Sequence, residues 1–256
     1  MTEDGEPTPA TAIDALVARD YERAGDEYTR VAWQRLATPR GNRSPFVPDD
    51  RGWVGRGLAH LLQAGIAYRI ADREDRASHR GAEGVAIAED LEHSLTQPVQ
   101  HACLKEIAGD FRVVGGMADA KAAYEPAIAA YEAAADSIED PREPATSPLF
   151  ESAVAPLKQV GRSVENGEIA VDWSDLHGSD PARSGAFLTA RPRYKRRRFP
   201  SLLTQAISAG YLAAPRGSTE YNNHIYRCPA CGSNDINYVE DHVLCLRCST
   251  PVDETE

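Results

Sequence analysis

Lysine and long apolar segments are what this chain has least of. Lysine supplies only four of its 28 cationic residues, namely Lys105, Lys121, Lys158 and Lys195. No apolar run reaches the roughly 18 residues that a membrane-spanning helix needs, and the mean hydropathy is −0.46. The first nine residues are acidic and polar, without the basic and then apolar segments of a secretory leader. The sequence therefore predicts a soluble, cytoplasmic protein with no membrane partner.

Recognisable catalytic motifs are absent as well. The chain has no phosphate-binding GxxxxGK[ST] loop, no GxSxG nucleophile elbow and no HExxH zinc motif. No Glu-x-x-His pair of the kind that binds two irons in a helical bundle occurs. The histidines of the first half are scattered, at His60, His79, His93 and His101. We expect them to be surface or helix-cap residues, and we expect no catalytic residues and no enzymatic activity.

Cysteine is scarce except near the C-terminus, where four of the five cysteines lie within 29 residues. They form two Cys-x-x-Cys pairs with 13 residues between them: Cys228, Cys231, Cys245 and Cys248. Each pair can direct two thiolates at one point, and a hairpin between the pairs would complete the four-thiolate tetrahedron of a structural Zn²⁺ site. Such a site leaves no position for a metal-bound water, so the spacing predicts a structural zinc.

A redox dithiol pair is the alternative interpretation of these cysteines. Redox Cys-x-x-Cys motifs usually open a helix after a strand, and the residues around these pairs do not predict that arrangement. The remaining cysteine, Cys103, is predicted to be a small buried residue on a helix. Cysteines confined to a metal pattern are typical of a reducing compartment.

The residues between the cysteine pairs predict a β-hairpin, because Ile236, Tyr238, Val243 and Leu244 are strand formers on both sides of a polar turn. Thirty residues bury little apolar surface, so metal binding, worth about 10–16 kcal/mol, would supply most of the folding energy. The strings CPACGS, INYVE and VLCLRC resemble the zinc ribbon of archaeal and eukaryotic transcription factor B proteins. Only this module matches, since the cyclin-like repeats are absent. The resemblance therefore implies a ribbon fold and not promoter-factor activity.

The charged residues are unusual in both number and kind. The chain carries 39 acidic residues against 28 basic ones, and arginine outnumbers lysine among the basic residues. An excess of carboxylates keeps a surface hydrated, and concentrated salt screens the repulsion between them. In this respect the chain resembles proteins of halophilic archaea, whose cytoplasm is rich in salt. An ordinary acidic protein from a GC-rich genome is the alternative.

The first 138 residues predict a series of helices. Apolar residues recur at three- and four-residue steps in five stretches, which are Ile13–Val31, Leu58–Tyr68, Val85–Leu95, Val99–Val114 and Ala120–Ile138. Pro126 interrupts the fifth stretch and predicts a kink there. The pair Gly115-Gly116 predicts the turn before it.

Three of these stretches share a small-residue pattern. An Ala-Gly pair is followed by an aromatic residue at Ala24–Tyr28, Ala64–Tyr68 and Ala108–Phe111, at intervals of 40 and 44 residues. Small residues let a partner helix approach while the aromatic side chain fills the groove beside it. The pattern resembles tetratricopeptide-type repeats, although that family repeats about every 34 residues. A plain antiparallel bundle explains the same stripes. The predicted fold is therefore mostly α, a tetratricopeptide-like array or bundle with a small C-terminal β zinc ribbon.

Composition divides the rest of the chain. Residues 139–148, EDPREPATSP, are rich in proline and charge and predict a linker after a helical domain at 1–138. A mixed segment would follow at 149–222, and the zinc ribbon at 223–256. Within the mixed segment we expect a helix at Leu149–Val164, a short strand around Ile169–Trp173, a polar loop to Gly185 and a helix at Pro200–Leu212.

A basic run lies in the mixed segment of this acidic chain. Six of its eight residues are cationic, and its members are Arg191, Pro192, Arg193, Tyr194, Lys195, Arg196, Arg197 and Arg198. The run could bind nucleic-acid phosphates while Tyr194 and Phe199 stack on bases. The alternative is an internal seam of ion pairs with the acidic helices, which concentrated salt would favour because phosphate binding weakens steeply with salt.

Two functions follow from these features. The first is a non-enzymatic scaffold or adaptor, in which the helices offer a groove to a protein partner and the ribbon with its structural zinc offers a second surface. The second is a nucleic-acid-associated or transcription-related factor that uses the basic run and the ribbon. An exposed run on the face of the ribbon would favour nucleic acid, and a run buried against carboxylates would favour the scaffold.

Overall fold

A computed structural model describes residues 8–37, 53–168, 171–178 and 180–254 of the chain. The predicted fold class is confirmed, because the described residues form helices packed as hairpins and small antiparallel sheets near the C-terminus. The helices are α1 (Pro9–Val17), α2 (Tyr21–Ala37), α3 (Trp53–Ile70), α4 (Glu74–Glu92), α5 (Pro98–Val114), α6 (Ala120–Ala134), α7 (Arg142–Ala145), α8 (Pro148–Val164), α9 (Trp173–Leu176) and α10 (Ser184–Ala209). The strands are β1 (Ser218–Glu220), β2 (Tyr226–Arg227), β3 (Ile236–Val239), β4 (His242–Cys245) and β5 (Asp253–Glu254).

The first predicted stripe is divided between two helices. Arg19, with φ +58°, lies in the left-handed region, and the chain turns there between α1 and α2. Because of this turn, Ile13 packs with Ala214, Val239 and Leu244 near the C-terminus instead of continuing the stripe of α2. The loop expected between Thr38 and Gly52 lies outside the described residues.

Helices α2 to α6 pack against one another in sequence order, and glycines set how closely they approach. A Cβ atom on Gly25 of α2 would lie 2.5 Å from the Tyr68 ring of α3. A Cβ atom on Gly84 of α4 would lie 2.3 Å from the Phe111 ring of α5. The aromatic rings of two of the repeated patterns therefore occupy the space that a glycine leaves on a neighbouring helix, as the sequence suggested. Gly115 and Gly116 form the turn after α5, and Gly116 has φ +67°.

One hydrophobic cluster joins the helices on both sides of the segment 139–148. Within that segment, residues Arg142–Ala145 form the short helix α7. Apolar side chains of α8 and α10, such as Phe150 and Leu202, belong to the same cluster as those of α2 to α6. Helices α8 and α10 are therefore part of the same helical body as α2 to α6.

The basic run lies within a long helix. Helix α10 begins at Ser184, well before the helix expected from Pro200, and contains Pro192 and Pro200. The strand expected around Ile169–Trp173 is wrong at its end, where Trp173–Leu176 forms the helical turn α9; Ile169 lies outside the described residues. None of the described helices is long and apolar enough to cross a lipid bilayer.

Two small antiparallel sheets form the C-terminal module. The first has the strand order β1-β3-β4, with Ile236 of β3 opposite Cys245 of β4, and the second pairs β2 with β5. Ile13 of α1 joins Ala214, Val239 and Leu244 in a second apolar cluster beneath the first sheet. The module therefore packs directly on the helical body.

Candidate functional site

The two Cys-x-x-Cys segments adopt the same local geometry. In the first, the Gly232 amide donates to the Cys228 carbonyl over 2.9 Å, and in the second the Ser249 amide donates to the Cys245 carbonyl over 2.9 Å. The residue after each pair has positive φ, +74° at Gly232 and +57° at Ser249. The left-handed residue closes each turn tightly, so both cysteines of a pair lie on the same side.

The pairing of β3 with β4 brings the two turns together. The four Sγ atoms of Cys228, Cys231, Cys245 and Cys248 all lie within 4.8 Å of one another. The sulfur atoms of Cys228 and Cys248 are 3.5 Å apart, as are those of Cys231 and Cys245, and Cys248 lies 3.7 Å from Cys231. Zn–S bonds of about 2.3 Å in a tetrahedron place the sulfurs about 3.8 Å apart. The donor set therefore fits a four-thiolate zinc site.

A backbone group supports one of these sulfurs. The Arg247 amide donates to Cys245 Sγ over 3.4 Å, the kind of outer contact that orients a thiolate ligand. Cys231 is exposed, whereas Cys228 and Cys245 are buried, so the cluster lies at the edge of the module. With four thiolates bound, a zinc ion would have no open position, and its contribution would be to hold the two turns together.

Arg162 of α8 fastens this module to the helices. Its side chain is 2% exposed, and its guanidinium donates to the carbonyl oxygens of Gly167 at 3.1 Å, Ala214 at 2.7 Å and Leu246 at 3.3 Å. Burial, with the nearby charge of Arg216, lowers the pKa of Arg162 to about 10. Gly167 has φ +76°, and a Cβ atom there would lie 1.8 Å from the Leu246 carbonyl oxygen. The backbone at Gly167, just after α8, therefore lies directly against the backbone at Leu246 of the C-terminal module.

The basic run is divided by the faces of α10, and two of its cations are buried. Arg191 donates to Glu106 of α5 from Nε at 2.7 Å and from Nη2 at 2.8 Å, with the Arg191 side chain 2% exposed. Lys195, one helical turn later, has its Nζ 2.8 Å from Glu106 Oε1 and 2.5 Å from Asp110 Oδ2. Two cations spaced by four residues thus meet two carboxylates spaced by four residues. Neither Arg191 nor Lys195 is accessible to a nucleic acid.

Two tyrosines of α6 complete this buried charge network. The Tyr124 hydroxyl donates to Asp110 over 2.6 Å, and the Tyr131 hydroxyl donates to Glu106 over 3.0 Å. Burial alone would raise the pKa of Glu106, but the charges of Arg191 and Lys195 outweigh it and lower that pKa. For Asp110, burial outweighs the charge of Lys195 and raises the pKa.

Cys103 lies beside the same network. Its Sγ atom is 3.7 Å from Arg191 Nη2, and burial raises its pKa to about 12. A thiol with that pKa stays protonated at neutral pH and is a poor nucleophile. Cys103 is buried on a helix, as predicted.

The other cations of the run face outward, and two of them have acidic neighbours on α6. Arg193 pairs with Glu132 at 2.6 Å, and Arg196 lies 3.9 Å from Glu125. Arg197 and Arg198 are exposed. Tyr194 and Phe199 are buried in the core, so their rings are not available to stack on bases in this structure.

The histidine expectation fails at one position. His60 is half-buried and stacks on Tyr28, with ring centroids 5.8 Å apart, while its Nδ1 lies 3.0 Å from Gln63 Oε1. Burial and the charges of Arg35 and Arg56 lower its pKa to about 4. His93, whose Nδ1 lies 2.9 Å from the Glu89 carbonyl, is an exposed residue next to the end of α4, as expected.

The sequence interpretation did not identify Glu106 and Asp110, although a signal for them existed. Both lie on the apolar face of the fourth predicted helix, where a buried carboxylate needs a cationic or hydrogen-bonding partner. Their four-residue spacing also matches that of Arg191 and Lys195. Arg162 gave no comparable signal, because its partners are backbone carbonyls.

Fold and site define a class: a helical protein with a C-terminal four-cysteine β module suited to a metal ion. No family model, curated protein or solved structure matches the chain. The resemblances to transcription factor B ribbons and to tetratricopeptide repeats therefore stay predictions.

Proposed function

We propose that this protein is a non-enzymatic interaction scaffold whose C-terminal module is a structural zinc ribbon. The observation that carries the proposal is the convergence of four cysteine sulfurs within 4.8 Å, a donor set that leaves a bound zinc no open position. The metal then stabilises a surface instead of activating a water molecule.

The orientation of the basic run supports a scaffold over a nucleic-acid factor. Two of its six cations, Arg191 and Lys195, form buried ion pairs with Glu106 and Asp110. The surface pair formed by Arg193 and Glu132 further reduces the positive charge offered to solvent. The remaining helix surfaces and the ribbon would form the docking surface for a protein partner.

Nucleic-acid binding is kept as the second candidate because Arg197 and Arg198 are exposed on α10. These residues could contact phosphates, and such binding would weaken steeply with salt. Without exposed aromatic residues from the run, it would depend on charge and shape.

The zinc assignment is tested by metal content. The wild-type protein should bind one zinc ion, and Cys231→Ser and Cys248→Ser should each lose it and unfold the module while helical circular dichroism is nearly unchanged. Cys103→Ala, which removes a thiol outside the cluster, should keep the metal. One zinc ion retained by both serine variants would contradict the four-thiolate assignment.

The scaffold proposal is tested by binding. Zinc-loaded protein should bind neither single- nor double-stranded nucleic acid at the salt of its native cytoplasm, and should co-purify there with a defined protein partner that Cys248→Ser loses. Nucleic-acid binding that persists at that salt and falls when Arg196, Arg197 and Arg198 are changed to Gln would replace the scaffold with the second candidate.

A further inference from the structure

A cavity of about 360 Å³ opens where α8, α9 and the start of the C-terminal module meet. Its apolar part includes Val171 and Leu176, each 2% exposed, and its polar part includes Lys158 and Arg162 from one face of α8. Arg216, from the segment before β1, also lines it. Cavities that bind small molecules have this composition, apolar walls with a few convergent polar groups.

The three cations of this cavity lack acidic partners within the described part of the chain. No carboxylate there forms an ion pair with Lys158, Arg162 or Arg216. Among the described residues, buried Arg162 bonds only to carbonyl oxygens, and these three bonds use three of its five N–H groups. Buried arginines in proteins are normally paired with an anion, and the described residues supply none to Arg162, so an anionic ligand would complete its environment.

Arg216 gives an independent indication of the same kind. Its Nη2 donates to the Thr219 and Tyr221 hydroxyls at 3.0 and 3.2 Å, which holds the guanidinium in place. Its Nη1 is buried and has no hydrogen-bond partner among the described residues. A buried donor without an acceptor is costly, and an anion in the cavity would remove that cost.

Trp173 adds a planar surface at the same cavity. The side chain lines the cavity and is 57% exposed, and the indole lies against His177 with ring centroids 3.9 Å apart. Its contact with His177 fixes the ring, which an incoming planar group could then use for stacking. One carboxylate, that of the exposed Asp172, also lines the cavity, so the lining carries three positive charges and one negative charge.

We propose that this cavity binds a phosphate monoester that carries a planar ring, in the class of a mononucleotide. A phosphate monoester carries about −1.5 to −2 charges at neutral pH, which matches the net positive lining. Guanidinium groups bind phosphate oxygens with two parallel hydrogen bonds, and the free Nη1 of Arg216 supplies one donor. Trp173 would stack on the ring. The site stands independently of the proposed scaffold function.

The experiment is calorimetric titration of full-length, zinc-loaded protein with four probes: adenosine 5′-monophosphate, inorganic phosphate, adenosine and citrate. The monophosphate should bind more tightly than inorganic phosphate, and adenosine and citrate should bind more weakly than the monophosphate. Absence of binding by both phosphate probes at millimolar concentration overturns the proposal. Tighter binding of citrate than of the monophosphate overturns the phosphate assignment.

Two variants and one control separate the contributions of charge and stacking to binding, and all three leave Arg162 and its carbonyl contacts unchanged. Arg216→Gln should weaken both phosphate probes about tenfold or more, since it removes a charged hydrogen bond. Trp173→Ala should weaken the monophosphate about tenfold and leave inorganic phosphate unchanged. Arg23→Gln, at an exposed arginine of α2 that lies in neither proposed binding surface, is the matched control and should change neither. Zinc content and circular dichroism verify the fold of each variant, and equal affinities in Arg216→Gln and wild type would refute the site.

Discussion

Replacing Lys195 by Met tests the buried charge network most directly. Met has nearly the same length, but it removes the Nζ atom that contacts Glu106, Asp110 and the Ala153 carbonyl at 2.8, 2.5 and 2.8 Å. The network as a whole is neutral, with two carboxylates and two cations, so the change leaves one negative charge uncompensated in the core. Breaking a buried pair in this way costs about 3–5 kcal/mol of the free energy of unfolding.

Arg193→Met provides the matched control on the same helix, two residues away. Its partner Glu132 and Arg193 itself are 52% and 44% exposed, and solvent screens an exposed pair. Arg193→Met should therefore lower the free energy of unfolding by only about 0–1 kcal/mol. Both variants remove one positive charge from α10, so the difference between their free energies of unfolding measures the effect of burying that charge.

Urea unfolding of the zinc-loaded protein, followed by circular dichroism of the helices, measures both variants. Thermal melting should show Lys195→Met lower by roughly 6–20 °C, from about 2–4 °C per kcal/mol for a chain of this size. The double variant Asp110→Leu with Lys195→Met should recover much of the loss, because no lone charge remains. If Lys195→Met loses no more stability than Arg193→Met, the buried network does not stabilise the fold in the way described.

Three further perturbations have defined outcomes. The pKa of His60 in the folded protein is about 4, below its ordinary value of 6.5, so between these pH values the unfolded chain binds one more proton than the folded protein does. The free energy of unfolding should therefore fall as the pH drops from about 6.5 to 4, and His60→Gln should flatten this slope in urea titrations. Gly84→Ala should lower the free energy of unfolding by about 1–3 kcal/mol, because the added Cβ would overlap the Phe111 ring. Gly185→Ala is the control: its added Cβ would lie 3.4 Å from the nearest atom, so the free energy of unfolding should be unchanged or higher. Gly167→Ala should release the C-terminal module to limited proteolysis while the zinc ion stays bound; resistance equal to wild type would contradict the backbone contact there.

The features that the sequence predicted well have local causes. Two Cys-x-x-Cys pairs with a strand-forming spacer determine a hairpin that brings four sulfurs together, and the apolar stripe from Val99 to Val114 determines α5. The Ala-Gly pattern predicted close helix contacts because a missing Cβ has the same consequence in any helix pair.

The features that the sequence left undecided depend on distant partners. Whether Arg191 and Lys195 lie inside or outside is decided by carboxylates 85 residues earlier in the chain, and no local pattern determines which face of α10 meets α5. The start of α10 at Ser184 was missed because the loop-like composition of that stretch is overridden by packing on α6 and α8. The cavity beside Trp173 arises only when three separate segments meet.

The three carbonyl partners of Arg162 also imply an order of assembly. They lie 5, 52 and 84 residues further along the chain, so only the Gly167 contact is local. During synthesis, α8 is complete before the other two partners leave the ribosome, and the guanidinium must remain hydrated until they arrive. We expect folding to end with a docking step in which Arg162 loses its water. That step should be slower when zinc is withheld, because the Leu246 carbonyl lies between the two cysteines of the second turn.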